Sequence, residues 1–241
     1  SYAGITNKLL AKKADKICVA YEGMEKYFPP NKIEITGNPL RRNLLGIEKK
    51  KAEALKHFEL SGRMRTILVL GGSGGARSVN ESIKEHLWDF EKKEVQLIWQ
   101  CGKNYYPRAL DEIKHFSLPH VRLVDFIDRM DLAYAAADVI VSRAGAGTIS
   151  ELALIKKPVI LVPSPNVAED HQTRNAMSLV NRNAAVMVKD EEAKFLLVHK
   201  ALTILEDDHK MKELSENIGK IAKPDSANKI AEEVVKLADK R

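Results

Sequence analysis

Only two of the 241 residues are cysteine, Cys18 and Cys101. That is too few for a disulfide scaffold, so a reducing compartment is the expectation. Each lies in a strand-like run, KICVAY and QLIWQCG, where a buried structural thiol is expected. No stretch approaches 18 consecutive apolar residues, which argues against a membrane-spanning helix. No D-x-D carboxylate pair occurs, and His57, His86, His115, His120, His199 and His209 show no metal-ligand spacing. The expectation is therefore no metal and no cofactor. No Ser/His/Asp or Cys/His catalytic arrangement stands out. The chain opens at Ser1 rather than Met, with neither a signal nor a transit peptide. A natural N-terminus upstream is expected. Charge of one sign is also scarce: 39 basic against 33 acidic residues give +6. Without an aromatic-rich basic motif this predicts no nucleic-acid binding, while the sign suits anionic lipid or phosphate-bearing ligands. The Lys49–Lys51 run reads as a solvated face.

What is present, 44% hydrophobic and 30% charged residues, is of soluble globular type. Six apolar runs, at 66–72, 95–102, 121–127, 138–145, 158–163 and 184–189, predict strands. Helical periods lie between them, near 76–90, 105–115, 130–137, 147–156 and 170–182. Such alternation predicts a parallel sheet covered on both faces, a doubly wound Rossmann-like α/β domain. Three helices follow. Phe195, Val198, Leu202 and Leu205 set the first, and Met211, Leu214, Ile218 and Ile221 the second. The third follows Pro224, capped by Asp225 or Ser226, with Ala227, Ile230, Ala231, Val234 and Ala238 on one face. Residues 1–39 stand outside this pattern: a helix with Ile5, Leu9 and Leu10 on one side, a strand, a loop and a second strand. They read as the end of a preceding α/β domain, with Gly37-Asn38-Pro39 as a hinge.

Ligands of open parallel sheets bind beyond the C-terminal strand ends, so three loops carry the candidate chemistry. Gly71-Gly72-Ser73-Gly74-Gly75-Ala76-Arg77 lets backbone approach a ligand and opens a helix whose free N–H groups suit a phosphate, with Ser73 as a further donor. The other reading is a tight turn that binds nothing. Arg77 stands where G-x-G-x-x-G needs glycine, and the next strand runs into Gln100 rather than an acid, which disfavours a dinucleotide site. The absence of G-K-[ST] excludes a P-loop. Arg143-Ala144-Gly145-Ala146-Gly147-Thr148-Ile149-Ser150-Glu151 is a second such turn, where Thr148 and Ser150 could cap the helix or donate to an oxyanion. Glu151, placed in the first helical turn, either favours the dipole or accepts from a ribose diol. Two phosphate-type turns at neighbouring strand ends suggest one diphosphate held between them. The third loop, Asn166 to Asn175, is polar enough to read sugar hydroxyls, or is a solvated loop with Asp170 capping a helix.

GNPLR (37–41), GGSGGAR (71–77), DFIDRM (125–130), SRAGAGTISE (142–151) and PSPNVAEDHQTRNA (163–176) together closely resemble the MurG family over essentially the whole chain. These are N-acetylglucosaminyltransferases that convert lipid I to lipid II in peptidoglycan synthesis. The resemblance implies a GT-B fold, with residues 1–39 ending the acceptor domain. Residues 40–222 would form the domain that binds UDP-N-acetylglucosamine, and the helix of 223–241 would cross back. It implies donor contacts from Asn7, Arg41, Ser73 and Gln172, and from the loop Ala146, Gly147, Thr148, Ile149 and Ser150. Ile127 would read uracil through its backbone, and Glu151 would hold the ribose. The catalytic residue is expected upstream of Ser1, which leaves the fragment alone inactive. Lipid I would be the second substrate, and an anionic membrane surface a partner through the missing domain, at the cytoplasmic face of the bacterial inner membrane. The alternatives are a non-hydrolysing UDP-N-acetylglucosamine 2-epimerase, for which Glu169, Asp170 and His171 are the candidate acid–base groups, and a non-catalytic nucleotide-sugar-binding module.

Overall fold

A computed structural model describes residues 3–239; Ser1, the first residue of the expected amphipathic helix, lies outside the described residues. The N-terminal segment holds α1 (Ile5–Ala11), β1 (Ile17–Val19) and β2 (Ile33–Ile35). The two strands pair in parallel, and Ala3, Ala11, Val19, Met24 and Phe28 form a small core of their own. Ile5, Leu9 and Leu10 form an exposed face of α1. The chain then passes through short 3-10 turns into α2 (Lys51–His57) and the main domain.

Six strands build that domain: β3 (Thr66–Leu70), β4 (Gln96–Gln100), β5 (Val121–Val124), β6 (Val139–Ser142), β7 (Val159–Leu161) and β8 (Val186–Met187). All are parallel, in the order β5-β4-β3-β6-β7-β8. That is the Rossmann order, with its reversal between β3 and β6. The strands are mostly apolar because both faces are covered. On β3, Leu68 and Leu70 point into one core layer, while Ile67 and Val69 point into the other. The first layer packs α6 (Met130–Ala136), α7 (Ala146–Ile155) and α8 (His171–Val180). The second packs α3 (Arg77–Glu85), α4 (Leu87–Lys92), α5 (Tyr106–Ile113), α9 (Ala193–Glu206) and α10 (Asp208–Gly219). Last comes α11 (Ser226–Ala238), with Val234 and Val235 more than half exposed.

Several expectations need correction. The helix predicted near 76–90 is broken at His86, whose ring nitrogen contacts the Ser82 carbonyl that its own N–H would take in an unbroken helix. That N–H bonds to Ile83 instead. Cys18 is exposed rather than buried, because β1 belongs to a two-stranded ribbon whose Cys18 side is uncovered. Cys101 is fully buried. Phe195 is 71% exposed in the first turn of α9, although helical spacing sets it on the same side as the buried Val198, Leu202 and Leu205. Ile221 falls beyond the end of α10. Neither Asp225 nor Ser226 caps α11 with its side chain; Ser226 turns back to the Lys223 carbonyl and Asp225 accepts from Asn228. Lys50 and Lys51 are more than a wet face. Lys50 lies 2.7 Å from Asp131 and Lys51 3.2 Å from Asp138, fastening α2 to the α6 layer. Arg129 completes the pairing of Asp131 and, with Lys50, holds this buried carboxyl well below the usual carboxylate range.

Candidate functional site

The glycine-rich turns after β3 and β6 lie side by side at the reversal of strand order. Each opens a helix whose first N–H groups receive no side-chain cap: α3 starts after Ala76 and α7 after Gly145. Two adjacent, uncapped amino ends create a region of positive potential suited to an anion carrying two charges.

The first turn is braced from inside the domain. Gln100, at the end of β4, accepts from the Gly72 N–H (3.0 Å) and donates to the Gly72 carbonyl (2.9 Å) and the Asp125 carbonyl (2.9 Å). Gly75 and Gly102 touch backbone to backbone, both with positive φ. A Cβ on Gly102 would lie 2.3 Å from the Gly75 nitrogen, so both positions require glycine. Beneath them, Asn80 donates to the Cys101 carbonyl and accepts from the Trp99 indole. Burial pushes the Cys101 thiol up to about 11. Ser73 lies exposed on the rim.

The second turn is held from outside. Gln172, at the start of α8, accepts from the N–H groups of Ala144 (3.2 Å) and Ser164 (3.0 Å), and Asn175 donates to the Ala144 carbonyl. From the N-terminal segment, Tyr21 donates to the Ala146 carbonyl (2.7 Å), and Asn38 donates to Ser150 Oγ (2.9 Å). Ser150 is therefore engaged by neighbouring protein groups and does not cap α7. Burial raises the Tyr21 pKa and keeps its hydroxyl a donor.

Glu151 lies in the second turn of α7, not the first, because the helix begins at Ala146. Its carboxylate accepts from the fully buried Tyr134 (3.0 Å) and faces Arg41 Nε at 3.7 Å. Burial and the Glu151 charge raise the Tyr134 pKa well above the ordinary value. Ile127, in the loop after β5, is buried in the same layer as Leu70, Tyr134 and Ile149. Asn7 is exposed on α1. It lines a cavity of about 330 Å³ together with Tyr21, Asn38 and Ala146. Asp170 bonds to the Thr173 hydroxyl and gives α8 no backbone cap. Glu169 and Asp170 are consecutive residues in the left-handed region, a strained bend of the kind that clusters at binding loops. Gln100, Tyr134, Tyr21, Asn38 and Asn175 are the residues that sequence reasoning did not single out as site residues; their partners are remote in the chain. Among the described residues no cluster of His, Cys, Asp and Glu could hold a metal ion, and no helix is long and apolar enough to cross a membrane. A cavity of about 950 Å³ lies at the opposite end of the sheet beside Asp138, Lys157 and Pro158. Strand polarity and the helix amino ends both favour the glycine-turn end as the ligand site.

Known proteins place this geometry. Residues 66–234 match the model of the glycosyltransferase family 28 C-terminal domain. A curated relative from Parabacteroides distasonis, UDP-N-acetylglucosamine--N-acetylmuramyl-(pentapeptide) pyrophosphoryl-undecaprenol N-acetylglucosamine transferase, is 56% identical over 100% of this chain and 66% of its own length. The relative of the same name from Bacteroides thetaiotaomicron is 55% identical over 99% of this chain and 65% of its own length. The chain thus spans just under two thirds of these relatives. Among solved structures, Acinetobacter baumannii MurG superposes with a TM-score of 0.70 at 25% identity, covering 97% of this chain and 64% of that one. A Neisseria meningitidis UDP-GlcNAc 2-epimerase reaches 0.66 at 14% identity, covering 95% and 63%, a likeness of fold alone.

Proposed function

Because the chain belongs to the glycosyltransferase family 28 C-terminal domain family, we propose that it is the donor-binding part of an enzyme that transfers N-acetylglucosamine from UDP-N-acetylglucosamine to lipid I, forming lipid II. The observation that carries this reading is the pair of uncapped helix amino ends meeting at the sheet's switch point, with Glu151 beside them. The identity of the curated relatives favours the transferase over the epimerase, which offers only a shared fold.

The reaction is an inverting displacement. The 4-hydroxyl of the muramoyl sugar attacks the anomeric carbon, the bond to the diphosphate breaks, and a β-1,4 link and UDP result. Negative charge grows on the departing diphosphate, where the turns at 73–76 and 146–150 receive it through the N–H groups not already bonded within them, since Gly75 donates to Gly72 and Ile149 to Gly145. A preorganised donor of this kind is worth about 3 kcal/mol in the transition state. Glu151, oriented by Tyr134, takes the ribose diol. The Ile127 backbone meets uracil, and Asn7, Arg41, Ser73 and Gln172 complete the donor contacts. For Gln172 the free contribution is its NH₂, since its carbonyl holds Ala144 and Ser164. Residues 1–39 end the acceptor domain, 40–222 form the donor domain, and 223–241 cross back. The complete enzyme works peripherally at the cytoplasmic face of the inner membrane, and the base that activates lipid I lies upstream of Ser1.

Titration calorimetry of this chain with UDP, paired with a transfer assay using a lipid I analogue, tests the reading. Binding without transfer is expected. Absence of UDP binding would overturn the donor site, and robust transfer would place the base within residues 1–241.

A further inference from the structure

The N-terminal segment reaches α7 through a hydrogen-bonded chain whose direction is fixed by chemistry. Tyr21 has one hydroxyl hydrogen, and the Ala146 carbonyl at 2.7 Å can only accept it. The 3.1 Å contact between Tyr21 and Ser150 therefore leaves Ser150 as the donor there, or to the same Ala146 carbonyl, also at 3.1 Å. Asn38 feeds the other end by donating to Ser150 Oγ at 2.9 Å. Every hydrogen points towards the oxygen of Ala146, the first residue of α7. The other half of that peptide unit is the N–H of Gly147, in the uncapped first turn. Hydrogen bonds to a carbonyl polarise its peptide and strengthen its N–H as a donor.

We infer that Tyr21 is a positioning residue for the donor diphosphate: through Ala146 and Ser150 it fixes the amino end of α7 and sharpens the Gly147 N–H. This rests on the reading of that end as the diphosphate site. It makes donor grip depend on a residue outside the donor domain. Tyr21 is mostly buried, and desolvation, which outweighs the Ser150 bond, keeps its hydroxyl protonated.

The test is Tyr21→Phe in this chain, titrated with UDP and, by NMR, with uridine, which lacks the phosphates. UDP affinity should fall about fivefold with uridine affinity unchanged, the size expected for one lost hydrogen bond. An unchanged UDP affinity, or equal losses for both ligands, would overturn the inference. If a thermal melt shows Tyr21→Phe unfolded, Asn38→Ala breaks the same chain at its other end and should give a smaller loss, again for UDP alone; no loss, or an equal loss for uridine, overturns it equally. Wild-type chain that fails to bind UDP at all would instead strike at the donor-site reading itself.

Discussion

The two glycine-rich turns lie side by side and offer the same kind of helix end, yet they are supported in different ways. The turn after β3 rests on the interior of its own domain: Gln100 clamps both sides of Gly72, and Gly102 packs against Gly75 with no room for a side chain. The turn after β6 is held by groups that arrive from elsewhere, Gln172 and Asn175 on α8 and Tyr21 and Asn38 on the N-terminal segment. The first is rigid by construction. The second depends on contacts from α8 and from the N-terminal segment.

Gly102→Ala should break the first turn most severely. It combines a positive φ with a Cβ 2.3 Å from the Gly75 nitrogen, and such strain and overpacking together cost about 3 kcal/mol or more. A large fall in Tm is expected. The matched change in the second turn, Gly147→Ala, meets nothing within 4 Å and should shift stability by at most about 1 kcal/mol, upwards. Equal losses would dissolve the contrast. Next, Gln100→Ala should cost about 2 kcal/mol by leaving the Gly72 peptide unpaired, against about 1 kcal/mol for the more exposed Gln172→Ala, in denaturant melts. Third, Glu151→Ala should leave the fold intact and weaken UDP binding about tenfold, because a carboxylate taking two hydroxyls makes charge-assisted bonds. An unchanged affinity in calorimetry would remove Glu151 from the site. The mildest probe is chemical. At neutral pH a thiol reagent should label exposed Cys18 quickly, whereas Cys101, raised to about 11 by burial under the first turn, should label only when that turn opens. Rapid labelling of both would show the first turn to be loose.

Much of this was legible in the residues. The six strands sit inside the runs that predict them because parallel strands covered on both faces are mostly apolar. The two glycine turns and the polar loop of 166–175 stand out because glycine and polar residues after a strand are informative locally, and Gln172 within that loop is implied by the family resemblance. The supports were not legible, since Gln100 to Gly72, Tyr21 to Ala146 and Tyr134 to Glu151 join positions far apart in the chain. The placement of Glu151 erred by a turn because helix starts are the least determined feature of a pattern. Cys18 misled for a related reason: an apolar run predicts a strand without saying how many layers will cover it.

The pairing of β3 with β6 has a consequence for how the molecule responds to its ligand. Ile67 lies beside Val139, and Leu70 beside Ser142, so the two turns become neighbours only after the whole β3–β5 stretch has been folded away to one side. Long-range closure of this kind is slow to form. It also means that a partly folded chain does not hold the two halves of the site side by side. Ligand binding is then coupled to the global transition rather than to a local loop. At a free ligand concentration one hundred times its dissociation constant, the folded state gains about 2.7 kcal/mol. UDP should accordingly slow hydrogen exchange in the central strands as well as in the turns that touch it.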